Sequence, residues 1–311
     1  MGIQRLSMVL AAVMVCGFAR AEGKTVKVLA VGNSFSANAL HYFSDIVKAS
    51  GNTVVAKNAM IGGCDFERHM RHADAFEANP NDPAGRPYPG KQSLKELLTE
   101  QKWDYVTIQQ ASHKSFKPET YHPHADRLIA YIKKYAPQTE IVIHETWAYR
   151  DDHRWFTEHE KNPEQPANRD VMYQGVRAAY DRLAKETGFR MVPAGDAMEL
   201  ARSDSAWGKF VPDAAFDPKT AVYPSLPTGE KRSLQNGYSW RKDAKTGKYA
   251  LGKDAFHANA QGEYLIGCVW FEFFFGQSAV GNTYVPKGVT REDAAILQRI
   301  AHRVVTDKQR P

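Results

Sequence analysis

A serine, a histidine and an aspartate stand in local settings that suit nucleophilic catalysis. Ser34 follows the apolar run Val28–Val31 and Gly32-Asn33, a pattern typical of a buried strand that ends in a tight turn before a helix. A serine hydroxyl is a poor nucleophile without a base, and the base needs a carboxylate to orient it. Asp254 and His257, near the other end of the chain, could supply both groups. These residues predict a Ser-His-Asp hydrolase.

In two further segments, glycines or polar residues stand at the end of a predicted strand. Gly62-Gly63 follows the predicted strand 53–59, and Gln109-Gln110 ends the predicted strand 103–108. Glycines let backbone N–H groups approach a ligand closely, and open α/β sheets bind ligands at the carboxyl ends of their strands. Taken alone, Gly62-Gly63 is better explained as a plain turn. For Gln109-Gln110, a glutamine that caps a loop and a ligand-binding amide are equally compatible.

The remaining pattern alternates strands with helices. Further strands are predicted at 25–31, 140–143 and 189–193, and helices at 37–49, 123–135, 169–187, 197–202, 258–275 and 290–305. Repeated βα units predict an α/β protein, a three-layer α/β/α sandwich around a parallel sheet. The polar segment 203–253 lacks this periodicity, and we interpret it as a long insertion in a single domain that spans 22–311.

The amino terminus has the pattern of a secretory signal peptide. Arg5 precedes an apolar run, Leu6–Phe18, and Ala19-Arg20-Ala21 resembles a cleavage site. The run is short for a transmembrane helix, so we expect cleavage after Ala21, a secreted or periplasmic protein and no membrane attachment afterwards. Lipidation at Cys16 and a retained membrane anchor are the alternatives. In the mature chain Cys64 and Cys268 could pair, but two separate buried thiols are favoured.

Composition and charge exclude few functions but disfavour some. The 311 residues carry a formal net charge of +6, with 43% hydrophobic and 24% charged residues. Because Lys and Arg are dispersed rather than clustered, we predict no nucleic-acid partner. His69 and His72 are spaced to share a helical face, but no third ligand stands out. We therefore predict a solvated helix face there and no metal site.

Four separated blocks together resemble the SGNH (GDSL-like) hydrolase superfamily. They are Gly32-Asn33-Ser34-Phe35-Ser36, Gly62-Gly63, Gln109-Gln110 and Asp254-Ala255-Phe256-His257, which occur in the order of the superfamily's blocks. The usual GxND block is absent. Gln109-Gln110-Ala111-Ser112 stands in its place, as in some carbohydrate esterases of the superfamily.

The resemblance implies a flavodoxin-like sheet of five parallel strands and a role for each block. Ser34 would be the nucleophile, His257 the base and Asp254 its orienting acid. The backbone N–H groups of Ser34 and Gly63 and the side chain of Gln110 would form the oxyanion hole. No cofactor is implied.

The predicted substrate is an acylated carbohydrate, with acetyl as the acyl group. Its support is the aromatic content of the loops expected around the cleft, which includes Trp155 and the segment 223–240. We predict substrate contacts from Asn33, Gln109, Trp147 and Tyr149. An O-acyltransferase on the same scaffold and a catalytically silent carbohydrate-binding protein are the alternative functions.

Overall fold

Five parallel strands form the central sheet of the computed structural model, which describes residues 23–309. The strands are β1 (Thr25–Gly32), β2 (Thr53–Met60), β3 (Tyr105–Ile108), β4 (Glu140–His144) and β5 (Met191–Val192). They pair in the order β2-β1-β3-β4-β5, and every pairing is parallel. This is the flavodoxin-like order, so the predicted fold class is confirmed.

Ten α-helices accompany the strands in the described part of the chain. In chain order they are α1 (Ser34–Leu40), α2 (Phe43–Ala49), α3 (Phe66–Ala78), α4 (Leu94–Thr99), α5 (His124–Tyr135), α6 (Arg154–Thr157), α7 (Arg169–Thr187), α8 (Ala194–Ser203), α9 (Ala260–Phe275) and α10 (Arg291–Gln309). Helix α9 contacts α1, α2, α8 and α10, whereas α3 contacts α4 and α5. Because α9 is covered by neighbours, almost all of its side chains are buried, which explains its uniformly apolar sequence.

The helix predicted at 37–49 differs from the observed structure. It begins earlier, at Ser34, and is interrupted at Tyr42, where the backbone leaves helical geometry (φ −104°, ψ 1°). The early start has a local cause, since the Asn33 side chain accepts a hydrogen bond from the Phe35 N–H and so caps α1. Ser34 is therefore the first residue of a helix rather than part of a loop.

Helix α4 was not predicted, although its sequence carried a signal. Ser93 and Glu96 form a reciprocal capping box, in which the Ser93 Oγ accepts from the Glu96 N–H and the Glu96 carboxylate accepts from the Ser93 N–H. The Ser-x-x-Glu spacing before the apolar pair Leu97-Leu98 is the sequence pattern of such a start.

The segment 203–253 is not wholly irregular. Its end forms an antiparallel hairpin of β6 (Tyr238–Lys242) and β7 (Tyr249–Lys253). The two strands lack a clean alternation of apolar and polar residues because most of their side chains are solvent-exposed, and the sequence pattern therefore missed them.

Both cysteines in the described region, Cys64 and Cys268, are free and buried, which confirms the expectation of two separate thiols. The predicted signal peptide and Cys16 lie outside residues 23–309. Over that range, no helix combines the length and the apolar character needed to cross a membrane.

Candidate active site

Ser34, His257 and Asp254 form a continuous hydrogen-bonded chain. The Ser34 Oγ lies 2.7 Å from the His257 Nε2, and the His257 Nδ1 lies 2.9 Å from the Asp254 Oδ2. The second Asp254 oxygen accepts from the His257 N–H at 3.1 Å. A hydroxyl, an imidazole and a carboxylate that are hydrogen-bonded in this order allow proton transfer away from the serine. The structure thus brings together three residues that are up to 223 positions apart.

The turn that presents Ser34 requires a glycine at its start. A Cβ on Gly32 would lie 2.8 Å from the Gln109 side chain and 2.9 Å from the Ser36 Oγ. Only glycine permits this close approach at the end of β1. The Asn33 Nδ2 also donates to the Cys64 carbonyl, which ties the serine turn to the turn after β2.

The loop that carries Asp254 and His257 is fixed on both sides. The Asp254 N–H donates to the Gly237 carbonyl, and the Asn236 N–H donates to the His257 carbonyl, each at 2.9 Å. On the other side, the Trp147 Nε1 donates to the Phe256 carbonyl at 2.8 Å. Since these bonds hold the backbone, the His257 ring needs little reorganisation to reach Ser34.

The Asp254 carboxyl is held in its charged form. Partial burial works to raise its pKa, but hydrogen bonds from the His257 ring and backbone outweigh that effect and hold the pKa below its usual value. An ionised Asp254 accepts from the Nδ1–H of His257, which leaves the Nε2 free to accept a proton from Ser34.

Among the backbone N–H groups near Ser34 without an acceptor within residues 23–309 are the two that are expected to form the oxyanion hole. They belong to Ser34, the first residue of α1, and to Gly63, in the turn after β2. Gly63 has a φ of +61°, a conformation that other residues rarely adopt, and its surroundings are open. Unpaired donors at an accessible turn can bind a developing oxyanion.

The structure does not support Gln110 as a third oxyanion donor. Its Nε2 donates to the carbonyl and the hydroxyl of Thr120, and its Oε1 accepts from the N–H groups of Phe66 and Ala111. The side chain is fully buried, and these bonds occupy both ends of the amide. Gln110 therefore holds neighbouring loops together.

Gln109 lies closer to Ser34 than Gln110 does, but its side chain is buried beneath the turn that presents Ser34. Its Nε2 donates to the Asn33 Oδ1 at 2.8 Å, and both side chains are 1% exposed. The predicted substrate contacts of Gln109 and Asn33 are therefore not supported. The pair instead supports the turn that orients Ser34.

We expect Gln110→Ala to destabilise the fold more than it affects catalysis. The substitution leaves the buried N–H of Phe66 without its acceptor, and each buried polar group so orphaned costs about 1–3 kcal/mol. Urea unfolding should show a lower midpoint, whereas kcat of the folded protein should fall by less than about tenfold, well short of the loss seen when an oxyanion donor is removed.

The exposed Gln138→Ala is the matched control, for which stability should change by no more than about 0.5 kcal/mol. Unchanged stability together with a kcat loss above about 100-fold would restore the oxyanion role of Gln110.

Trp147 and Tyr149 are also buried, contrary to their predicted role as sugar-stacking surfaces. The Trp147 ring stacks on Phe35 with centroids 4.1 Å apart and has no exposed surface. The Tyr149 hydroxyl lies 2.9 Å from the Ser112 Oγ, and burial raises its pKa to about 12. Both rings pack beneath the site and hold it in shape.

Three aromatic residues of the insertion, Tyr223, Trp240 and Tyr249, form a cluster of their own. Tyr223 and Tyr249 stack with centroids 3.7 Å apart, and Trp240 packs edge-on against Tyr223. These three rings do not line the cleft, contrary to the expectation for segment 223–240, whereas the ring centroid of Tyr238 in that segment lies 4.9 Å from the Lys253 Nζ at the cleft wall. Half-buried Phe256, beside the His257 ring at 4.2 Å, is an aromatic side chain of the cleft that the sequence analysis did not single out.

A cleft of about 620 Å³ opens beside His257. Its walls come from the loop after β4, from α6, from the hairpin and from the Asp254 loop, and its lining is largely polar. The side chains involved are Asp152, His153, Arg154, Thr157, Glu158, Arg241, Lys253, Asp254, Phe256 and His257. The sequence did not indicate the charged side chains of the cleft other than Asp254, because they lie on segments without a recognisable motif.

His69 contradicts the expectation of a solvated histidine face on α3. It is fully buried, its Nδ1 lies 2.8 Å from the Tyr88 hydroxyl, and burial lowers its pKa to about 3. Across residues 23–309, no group of three or more His, Cys, Asp or Glu side chains is placed to hold a metal ion.

Comparisons with known proteins agree with this architecture. A family model described as a domain of unknown function, DUF4886, matches residues 27–213. A DUF4886 family protein from Bacteroides uniformis, known from a crystal structure, is 25% identical, with a TM-score of 0.67 over 91% of this chain and 95% of that one. No curated protein sequence matches significantly.

More distant solved structures include a proposed SGNH hydrolase from Slackia heliotrinireducens and a proposed GDSL-like lipase from Parabacteroides merdae. The first is 16% identical over 80% of this chain and 98% of that one, and the second is 13% identical over 82% and 98%; each has a TM-score of 0.45. The observed strand order, with a serine after β1 and an Asp-x-x-His block before α9, independently supports the resemblance to the SGNH superfamily. Since the family model covers more than half of the sequence, this chain belongs to the DUF4886 family.

Proposed function

We propose that this protein is a serine esterase that removes acyl groups, and acetyl in particular, from carbohydrates. The observation that carries the proposal is the hydrogen-bonded chain from the Ser34 Oγ through His257 to Asp254. A silent binding protein would have no need for a half-exposed serine joined to an oriented histidine.

The geometry supports a two-step acyl transfer. The Ser34 Oγ attacks the ester carbonyl carbon while the His257 Nε2 takes its proton, and the N–H groups of Ser34 and Gly63 bind the resulting oxyanion. Collapse of this intermediate expels the alcohol, which receives the proton from His257. A water molecule then attacks the acyl-serine in the same way, releasing the carboxylic acid and restoring Ser34. These steps consist of acyl transfers and proton transfers, without any change of oxidation state, and need no cofactor.

The carbohydrate part of the proposal rests on the cleft. Its volume of about 620 Å³ falls in the range of small-ligand pockets, and its polar lining suits a sugar better than a long acyl chain. Phe256, beside the catalytic ring, offers an apolar surface to one face of a sugar. Export directed by the predicted signal peptide would bring the enzyme to extracellular or periplasmic glycans.

Labelling and turnover together test this function. A fluorophosphonate probe should label the purified protein on the tryptic peptide that contains Ser34, and acetylated sugars should release acetate faster than longer acyl esters release their acids. A product with the acyl group on an added sugar, in place of free acetate, would favour the acyltransferase. Sugar binding with neither labelling nor turnover would show that the esterase proposal is wrong.

A further inference from the structure

Two arginines that line the cleft beside the triad have no ion-pair partner among residues 23–309. Most of the other charged groups there are paired. The Arg150 guanidinium bonds both oxygens of Asp152 and contacts Glu230, and the Lys253 Nζ contacts Asp152 at 3.1 Å. These two cations and two anions balance one another.

The remaining ionisable neighbours form no ion pair with the two arginines. Glu158 pairs with Lys161 at 3.5 Å. His153 is neutral at physiological pH, because burial and the nearby Arg154 lower its pKa to about 4. Asp254 keeps its negative charge, but its oxygens accept hydrogen bonds from the ring and the backbone of His257 and contact neither arginine.

Arg154 and Arg241 are left without a carboxylate partner among the described residues. Arg154 begins α6, Arg241 lies on β6, and both are exposed while lining the same cleft as His257. They therefore reach the cleft from different segments of the chain, one on α6 and one on the insertion. Exposed guanidinium groups remain charged at any physiological pH and bind carboxylates and sulfates through paired N–H donors.

We propose that Arg154 and Arg241 recognise an anionic substituent, a carboxylate or a sulfate, on the sugar that carries the acyl group. The natural substrate is then an acylated acidic carbohydrate rather than a neutral one. This inference rests on the proposed esterase function and adds the charge of its substrate. It also gives the insertion a role, since Arg241 belongs to it.

The test compares matched esters that differ only in charge. The substrates are acetylated methyl glucuronoside, acetylated methyl glucoside and an acetylated sulfated glucoside, assayed for kcat/KM at low ionic strength. We expect at least one acidic ester to be preferred by about tenfold or more over the neutral one, and added salt should weaken the preference. The carboxylate and sulfate arms show which anion is recognised.

Variants of the two arginines test whether these residues cause the preference for acidic esters. Arg154→Gln and Arg241→Gln should each reduce the ratio of acidic to neutral kcat/KM by about three- to tenfold, and the double variant should abolish the preference. Arg299→Gln is the matched control, since Arg299 is exposed on α10, has no ion-pair partner among residues 23–309 and lies outside the cleft lining. It should leave the ratio unchanged.

The outcomes separate this inference from the esterase proposal. Hydrolysis of all three esters at equal kcat/KM, or a preference that survives the double variant, would overturn charge recognition and leave the esterase intact. If no ester is hydrolysed, the esterase proposal fails, and calorimetric titration of the protein with methyl glucuronoside, a sulfated methyl glucoside and methyl glucoside still decides the charge question. Tighter binding of an anionic glycoside, lost in the double variant, would support recognition by the two arginines, and equal binding would refute it.

Discussion

Replacing Ser34 with alanine should lower kcat/KM for ester hydrolysis by at least about 10⁴-fold, the scale seen when a serine nucleophile is removed from other hydrolases. The reason is that Ser34 Oγ is the hydroxyl that the His257 Nε2 contacts, at 2.7 Å. Its loss removes the covalent intermediate altogether. Acetate release from an acetylated sugar, with folding checked by circular dichroism, measures the effect.

Ser36→Ala is the matched control for this variant. Ser36 lies in the same helix, but its hydroxyl points to the Asn33 carbonyl at 2.7 Å and to the Asn58 side chain at 2.8 Å. We expect some loss of stability and retention of most activity. Ester cleavage that persists in Ser34→Ala, or labelling of Ser36 by a fluorophosphonate, would show that the nucleophile is assigned wrongly.

Asp254→Asn should reduce kcat by about 10⁴-fold, as the equivalent change does in serine proteases. An asparagine can donate to the His257 Nδ1, which would place the ring proton on Nε2, where it faces Ser34. The ring could then no longer accept the serine proton. Because the substitution keeps the size of the side chain, His257 should remain in position, and a measurement of kcat on the folded variant isolates the chemical effect.

Asp152→Asn provides the comparison in the same cleft. Asp152 bonds Arg150 and Lys253 but makes no bond to His257. Its replacement should lower stability, by disturbing a partly buried ion-pair cluster, and change kcat by less than about tenfold. If Asp254→Asn retained a kcat similar to that of Asp152→Asn, then Asp254 would not be the residue that orients His257.

Local sequence predicted the parts of the site whose geometry is set by neighbouring residues. An apolar strand, a glycine and a capping asparagine together dictate a turn into a helix, so the position of Ser34 followed from one short segment. The three-residue spacing of Asp254 and His257 likewise sets their contact, because a single turn joins them. The alternation of strands and helices was sufficient for the class of fold.

The distinction between Gln109 and Gln110 could not be made in this way. At the end of an extended strand, successive side chains point to opposite sides, so adjacent glutamines have different surroundings. Only the packed structure shows that Gln109 reaches the serine turn while Gln110 reaches Thr120. The same limit applies to Trp147, whose burial is decided by Phe35 from a distant segment.

The sequence by itself determined the fold class and the candidates for a nucleophile, a base and an orienting acid, because each depends on short-range patterns that a chain carries locally. The tertiary structure decided which side chains are accessible and which charges are paired, because burial and ion pairing are set by segments far apart in sequence. Arg150 is neutralised by Asp152 and Glu230, whereas Arg154, only four residues later, is left with its charge facing the cleft. No spacing in the sequence distinguishes these two arginines.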